Sequence, residues 1–153
     1  CLFGEIQNGE MMLSVMGKIA NETWLAIPEQ FPQVELGTFV VMPNHIHGVI
    51  ALNQTEGLGT DGKGTDGKGT IYRAPTTEKY QKPVVGSIPT IVRTYKATVT
   101  RRIQSELNGA NIWQRNYHEH IIHNDDELNR IHLYIESNVD HWASDDENII
   151  KPK

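Results

Sequence analysis

The sequence has very little cysteine: Cys1 is the single thiol among 153 residues. One thiol excludes an internal disulfide framework and a zinc site built from cysteines, and it suits a reducing compartment such as the cytoplasm. The sequence also lacks a run of about 18 apolar residues and any segment with the pattern of a signal peptide. We therefore expect no membrane span and a cytoplasmic protein.

An excess of positive charge is also missing, since the formal net charge is −5. This value disfavours an extended nucleic-acid interface. The acidic residues are clustered, however, because residues 125–127 and 145–147 hold six of the 19, which leaves 13 acids against 14 bases elsewhere. The composition therefore excludes no nucleic-acid partner, but it gives no support to a broad electrostatic clamp on DNA.

The composition is otherwise that of a globular protein, with 38% hydrophobic and 22% charged residues, and the length fits a single domain over residues 1–153. Residues 59–70 differ from the rest because they repeat a Gly-Thr-Asp-Gly-Lys unit and contain no apolar side chain. Such a segment cannot compensate the entropy lost on ordering. We therefore predict a flexible Gly-rich loop at about 55–82.

Hydrophobic periodicity and turn signals predict alternating helices and strands. The predicted elements are a helix within 9–31, strands at 33–43 and 45–52, a helix at 85–107, a strand at 112–122 and a helix at 124–142. This order indicates an α+β fold of the ferredoxin-like, split βαβ type. We expect an antiparallel sheet with helices on one face, a further C-terminal helix and no clear opening strand.

Two pairs of side chains could carry chemistry. His45 and His47 lie in the predicted strand 45–52 and point to the same face, where their imidazoles could chelate one metal ion or could bind nothing. Tyr134 and Asn138 are four residues apart on the last predicted helix and share a face. They could point at the histidine pair, or they could be a core tyrosine and a surface asparagine.

Four segments together make a more specific pattern, which spans roughly residues 2–142. They are, in chain order, LFGEI, FVVMPNHIHGVI, IWQRNYHEHII and LNRIHLYIESN. The combination resembles the HUH single-tyrosine transposases, and most closely their REP-associated branch. Members of that family carry a strand before the first of these segments, so the resemblance implies that the first strand of the sheet is missing here.

The resemblance implies a metal-dependent endonuclease and strand transferase that acts on single-stranded DNA, often beside a hairpin. Tyr134 would be the nucleophile that forms a covalent 5′-phosphotyrosine, and His45, His47 and Asn138 would bind Mg²⁺ or Mn²⁺. The partner would be single-stranded or hairpin DNA, and a homodimer is compatible with the family. Two other readings stay open, namely an inactive relic that still binds hairpin DNA and a small-molecule metallohydrolase that uses the histidine pair.

Five further residues are candidates for DNA binding or for shaping the site. Trp113, Arg115 and His120 belong to a segment that resembles a family signature, and they could stack on bases or line the site. Arg93 and Lys96 lie on the polar surface of the predicted helix 85–107, where they either face solvent or contact phosphates.

We predict that deleting residues 59–68 changes stability little. Shortening a flexible loop changes the entropy of closing it by only about 0.6 kcal/mol per halving of its length. The melting temperature, measured by circular dichroism, should therefore stay within a few degrees of that of the parent protein. A large decrease would show that the repeat packs against the domain.

Overall fold

The computed structural model describes residues 1–53, 84–104, 112–113, 117–145 and 148 as an α+β structure with antiparallel strands. The predicted loop at about 55–82 lies outside the described residues. The elements are, in chain order, β1 (Gly4–Gln7), β2 (Glu10–Leu13), α1 (Val15–Leu25), α2 (Ile27–Gln30), β3 (Val34–Val41), β4 (Ile46–Leu52), α3 (Ile88–Gln104), α4 (Asp125–Glu136) and α5 (Asn138–His141), followed by a 3-10 turn at Trp142–Ser144.

The hairpin of β3 and β4 confirms the two central predicted strands. Its register pairs Val41 with Ile46 and Val40 with His47, and an irregularity interrupts the ladder between Leu36 and Phe39. The turn is closed by a hydrogen bond of 2.8 Å from Met42 N–H to the His45 carbonyl oxygen. The histidine pair therefore stands at the beginning of β4, as predicted.

The two faces of this hairpin pack against different helices. On one face, a Cβ built on Gly48 would lie 2.3 Å from the Trp24 ring of α1, so only glycine allows the helix to come this close. Ile46 and Ile50 pack against the same core. On the other face, a Cβ built on Gly37 would lie 3.6 Å from the His132 Nε2 of α4. The helix α4, which carries Tyr134, thus packs on the face of the hairpin opposite to the face that contacts α1.

The main core lies between α1, α3 and the hairpin. Trp24 stacks on Phe39 with ring centroids 5.7 Å apart and meets the edge of Tyr95 at 5.4 Å. The buried Tyr95 hydroxyl donates a hydrogen bond of 3.1 Å to the Ala20 carbonyl oxygen, so the phenol ties α3 to α1. This core holds the inner face of the hairpin and leaves its outer face for α4.

The helix starts follow from local sequence. The Ser14 hydroxyl accepts a hydrogen bond from Gly17 N–H at 3.1 Å at the start of α1, and the Asn124 side chain accepts one from Glu127 N–H at 2.9 Å at the start of α4. Such side-chain caps satisfy amide groups that have no partner within the helix. Along the described part of the chain, no helix is long and apolar enough to cross a membrane.

Two features differ from the sequence-based expectation. The chain opens with the β1–β2 hairpin, although no clear opening strand was expected and residues 10–13 fell within the segment 9–31 predicted to contain a helix. The described strands form two separate two-stranded sheets. The predicted strand at 112–122 is wrong over residues 117–122, which form no strand. Residues 117–121 are exposed and therefore lack the buried face that stabilises a strand. Their side chains make local contacts, such as the hydrogen bond of 3.2 Å that the Tyr117 hydroxyl donates to Glu119 Oε2.

We predict that replacing Gly17 with Ala destabilises the fold, although alanine usually stabilises a helix interior by about 1 kcal/mol relative to glycine. The new Cβ would lie 2.0 Å from the Phe3 carbonyl oxygen, so the N-terminal segment would have to move. The free energy of unfolding in urea should decrease by about 1–3 kcal/mol. The exposed neighbour Lys18 provides the control, because Lys18→Ala should stay within about 0.5 kcal/mol of the parent. A Gly17→Ala protein that is more stable than the parent would contradict this packing.

Candidate active site

The side chains of His45 and His47 converge on one point. Their Nε2 atoms are 2.9 Å apart, and their ring centroids are 4.6 Å apart with nearly perpendicular planes. Both residues are only partly exposed. The sequence-based expectation that the two imidazoles share a face is therefore confirmed.

Asn44 determines which nitrogen of His45 points at its partner. The Asn44 Oδ1 atom is 2.7 Å from His45 Nδ1, and a carboxamide oxygen only accepts hydrogen bonds. With the proton of the neutral His45 ring on Nδ1, the His45 Nε2 accepts a hydrogen bond of 2.9 Å from the His47 Nε2, and an ion bound by both Nε2 atoms would take the place of that proton. A carboxamide or carboxylate that fixes a histidine in this way is typical of metal-binding histidines.

Tyr134 lies beside the histidine pair. Its ring meets the His47 ring edge-on with centroids 5.5 Å apart, while 55% of the tyrosine side chain stays exposed. The structure thus brings the tyrosine of the last helix against the histidine pair, an arrangement that the sequence spacing left open. Its phenol combines a fixed position beside an imidazole with access to solvent.

Asn138 and Trp142 continue the same stripe of the helix. Ser137 between α4 and α5 keeps right-handed helical dihedral angles (φ −85°, ψ 0°), so residues four apart remain on one side. The Trp142 ring lies 6.0 Å from the His45 ring, just as Tyr134 lies against His47. Asn138 stands between these two aromatic residues in the sequence, is 97% buried, and has no hydrogen-bond partner for its Nδ2 in the described structure.

Charge and burial keep His47 neutral. Burial lowers the pKa of the His47 imidazole, the neighbouring His45 lowers it further, and the carboxylate of Asp145 partly offsets both effects. A neutral imidazole is the form that binds a metal ion, because the lone pair must be free of a proton. Burial therefore favours the neutral form of the His47 imidazole, which is the charge state that can bind a metal ion.

The donor atoms fit a small divalent ion. Two ligand atoms that bind one ion at about 2.1 Å, at about a right angle, are about 3 Å apart, which matches the 2.9 Å between the two Nε2 atoms. No three side chains of His, Cys, Asp or Glu cluster in the part of the chain that the structure describes, so the histidine pair has no third ligand of these types there. The side chain of Asn138 is buried and its Nδ2 has no hydrogen-bond partner in the described structure, which makes this amide the candidate for a third ligand through its oxygen.

The other candidate residues lie in different surroundings. Trp113 packs on the core, where its ring lies 5.5 Å from Phe3 and its Nε1 donates to the Lys96 carbonyl oxygen at 3.1 Å. Lys96 places its Nζ 5.6 Å from the Trp113 ring centroid, and burial lowers the pKa of its ammonium. Arg93 is exposed on α3, and Arg115 lies outside the described residues.

His120 lies on the approach to Tyr134. Its Nε2 is 2.8 Å from Glu127 Oε1, and Glu127 Oε2 accepts a hydrogen bond of 2.8 Å from His123 N–H. Together with Arg130, Ile131 and Tyr134, these two side chains line a shallow groove. The sequence-based expectation that His120 lies near the site is consistent with this position.

Three residues of the site were missed from the sequence. Asn44 was read only as part of a turn, and Trp142 and Asp145 were not considered. The position of Trp142, eight residues after Tyr134, was the available signal, because residues at this spacing share a helix face. The effect of Asp145 on the pKa of His47 depends on the direction of the chain after α5, and no sequence pattern predicts that direction.

We predict that His47 in the metal-free protein titrates below the ordinary value of 6.5. As the pH falls, the His47 imidazole of the unfolded chain is protonated at a higher pH than that of the folded protein. Protonation therefore stabilises the unfolded state relative to the folded state. The stability contributed by neutral His47 should be complete above about pH 6.5 and should be lost as the pH falls toward the lower pKa of the folded state. Imidazole NMR titration and urea unfolding between pH 7.5 and 5 measure both effects. A His47 pKa above 6.5, or an unchanged pH dependence in His47→Gln, would contradict the prediction.

The comparisons with known proteins give one relative. The chain is 38% identical to an uncharacterized protein of Haemophilus influenzae over 146 residues, which cover 95% of this chain and 76% of the relative. No family model matches the sequence, and no solved structure matches it. Identity at this level over most of both chains shows common ancestry, and the chain belongs to the same family as that Haemophilus influenzae protein.

Proposed function

We propose that the protein is a metal-dependent endonuclease and strand transferase of the HUH single-tyrosine type, acting on single-stranded, hairpin-associated DNA. The observation that carries the proposal is the contact between Tyr134 and His47, with 5.5 Å between ring centroids, beside two imidazoles whose Nε2 atoms converge. The order of the four resembling segments supports the same conclusion. Under this proposal, the β3–β4 hairpin and the helices on its two faces belong to a ferredoxin-like fold.

Tyr134 is the best-placed nucleophile among the described tyrosines. Tyr95 is buried in the core, and Tyr117 lies outside any helix or strand, where it binds Glu119. Tyr134 alone combines an exposed hydroxyl-bearing ring with contact to the histidine pair within the described part of the chain. This combination also disfavours a small-molecule metallohydrolase, which would give Tyr134 no role.

The proposed reaction exchanges one phosphate ester for another. The Tyr134 Oη attacks the phosphorus, an O–P bond to the tyrosine forms, and the bond to the 3′ oxygen breaks. The phenol proton passes to solvent, and the leaving strand takes up a proton as a 3′-OH. Because the phosphotyrosine keeps the energy of the ester, a 3′-OH can attack it in turn, rejoin DNA and release the tyrosine.

His45, His47 and Asn138 would hold the Mg²⁺ or Mn²⁺ ion. When bound, the ion supplies positive charge that polarises the phosphate and lowers the pKa of a nearby phenol. The protein side chains position the metal ligands and the nucleophile. Asn44 orients His45, the packing of His47 against Tyr134 positions the phenol, and Trp142 closes the other side of the pair.

We predict that Tyr134→Phe abolishes both nicking and the covalent adduct, because it removes the hydroxyl of the tyrosine whose ring contacts the histidine pair. Folding should change by about 1 kcal/mol or less, since the substitution removes one exposed oxygen. Denaturing gels with a labelled single-stranded hairpin oligonucleotide measure both activities. Tyr117→Phe is the matched control and should cut as the parent does. Normal nicking by Tyr134→Phe would exclude this mechanism.

We further predict that replacing both His45 and His47 with Ala removes metal-dependent cleavage. Loss of a supporting contact such as that of Asn44 already costs about 10–100-fold in metal affinity or activity, so loss of ligands should cost more. Isothermal titration with Mn²⁺ should show binding to the parent and none to the double variant, while Asn44→Ala should bind weakly. Metal binding by the double variant equal to that of the parent would show that the ion is held elsewhere.

A further inference from the structure

A groove runs from the proposed nucleophile along α4. It has a volume of about 260 Å³ and is lined by His120, Glu127, Arg130, Ile131 and Tyr134. This volume lies below the range of about 300–1,000 Å³ typical of pockets that enclose a small molecule. The groove therefore suits a chain-like ligand that passes over the surface better than a small molecule.

Arg130 is the cation of this groove. It lies one helical turn before Tyr134, and side chains at this spacing are about 5–6 Å apart at Cβ. The residue is exposed, and no residue of the described structure forms an ion pair with it. Its guanidinium is thus available for an anion, and the planar fork of arginine donors matches two phosphate oxygens.

The acid in the groove does not compete for Arg130. Both Glu127 carboxylate oxygens are engaged, one with His120 Nε2 and the other with His123 N–H, each at 2.8 Å. The backbone hydrogen bond, followed by the bond to His120, lowers the pKa of Glu127. Glu127 thereby holds residues 120–123 against the start of α4. This segment forms one wall of the groove.

We propose that this groove binds the backbone of the single DNA strand next to the phosphate that Tyr134 attacks, with Arg130 holding the neighbouring phosphate. His120 belongs to the wall that residues 120–123 form, and Ile131 provides an apolar surface for a sugar or base. This assignment rests on the proposed function, which requires a strand to reach Tyr134. It makes Arg130 a substrate-binding residue, and nothing in the sequence analysis pointed to it.

The test measures DNA binding without cleavage. Tyr134→Phe serves as the parent, and Arg130→Gln is compared with Arg101→Gln, which removes the same charge from an exposed position on α3. Fluorescence anisotropy gives the Kd of a labelled single-stranded hairpin oligonucleotide at several KCl concentrations. Arg130→Gln should weaken binding about tenfold or more and reduce the slope of log Kd against log salt by about 0.7. Circular dichroism checks that each variant is folded.

The outcomes separate this assignment from the proposed function. An Arg130→Gln protein with parental affinity and slope, or with the same change as Arg101→Gln, overturns the groove even if the wild-type protein forms a tyrosyl adduct. A selective loss in Arg130→Gln supports the groove, and absence of an adduct in the wild-type protein would then overturn only the catalytic mechanism. Failure of the parent to bind any single-stranded DNA would overturn both.

Discussion

The alternation of side chains along β4 is the constraint on which the site depends. Ile46 and Ile50 pack into the core, and Gly48 lets Trp24 approach the strand closely. Because neighbouring strand residues point to opposite faces, burial of this set leaves His47 on the outer face, toward α4. A shift of one residue in the pairing of β4 would exchange the two sets, so the same packing that stabilises the core also fixes the histidine pair.

The second half of the site comes from a helix that is far away in sequence. Tyr134 and Trp142 contact the rings of His47 and His45, and the buried Asn138 lies between them along the chain. The near-helical dihedral angles of Ser137 keep these three residues on one stripe across the junction of α4 and α5. The site therefore requires both the strand register and the continuity of this helix, and a change in either would separate the tyrosine from the imidazoles.

The sequence predicted those parts that depend on short-range periodicity. The β3–β4 hairpin, the helix that begins after residue 124, the shared face of the histidine pair and the spacing of Tyr134 and Asn138 all follow from residues within one or two turns or strand repeats. The β1–β2 hairpin was missed because its four-residue strands are too short to give a clear pattern. The strand-like composition of residues 117–122 was misleading because these residues have no buried face that would stabilise a strand. The roles of Asn44 and Arg130 depend on contacts that only the folded chain defines.

The central claim is that Tyr134 becomes covalently joined to DNA at a metal site formed by His45 and His47. Mass spectrometry of a denatured, protease-digested mixture of the wild-type protein, Mn²⁺ and a single-stranded hairpin oligonucleotide tests it most directly. The account predicts a nucleotide-modified peptide that contains Tyr134 and that is absent when EDTA replaces Mn²⁺. A modification on a different tyrosine, or unmodified Tyr134 in a mixture in which the DNA has been cut, would contradict it.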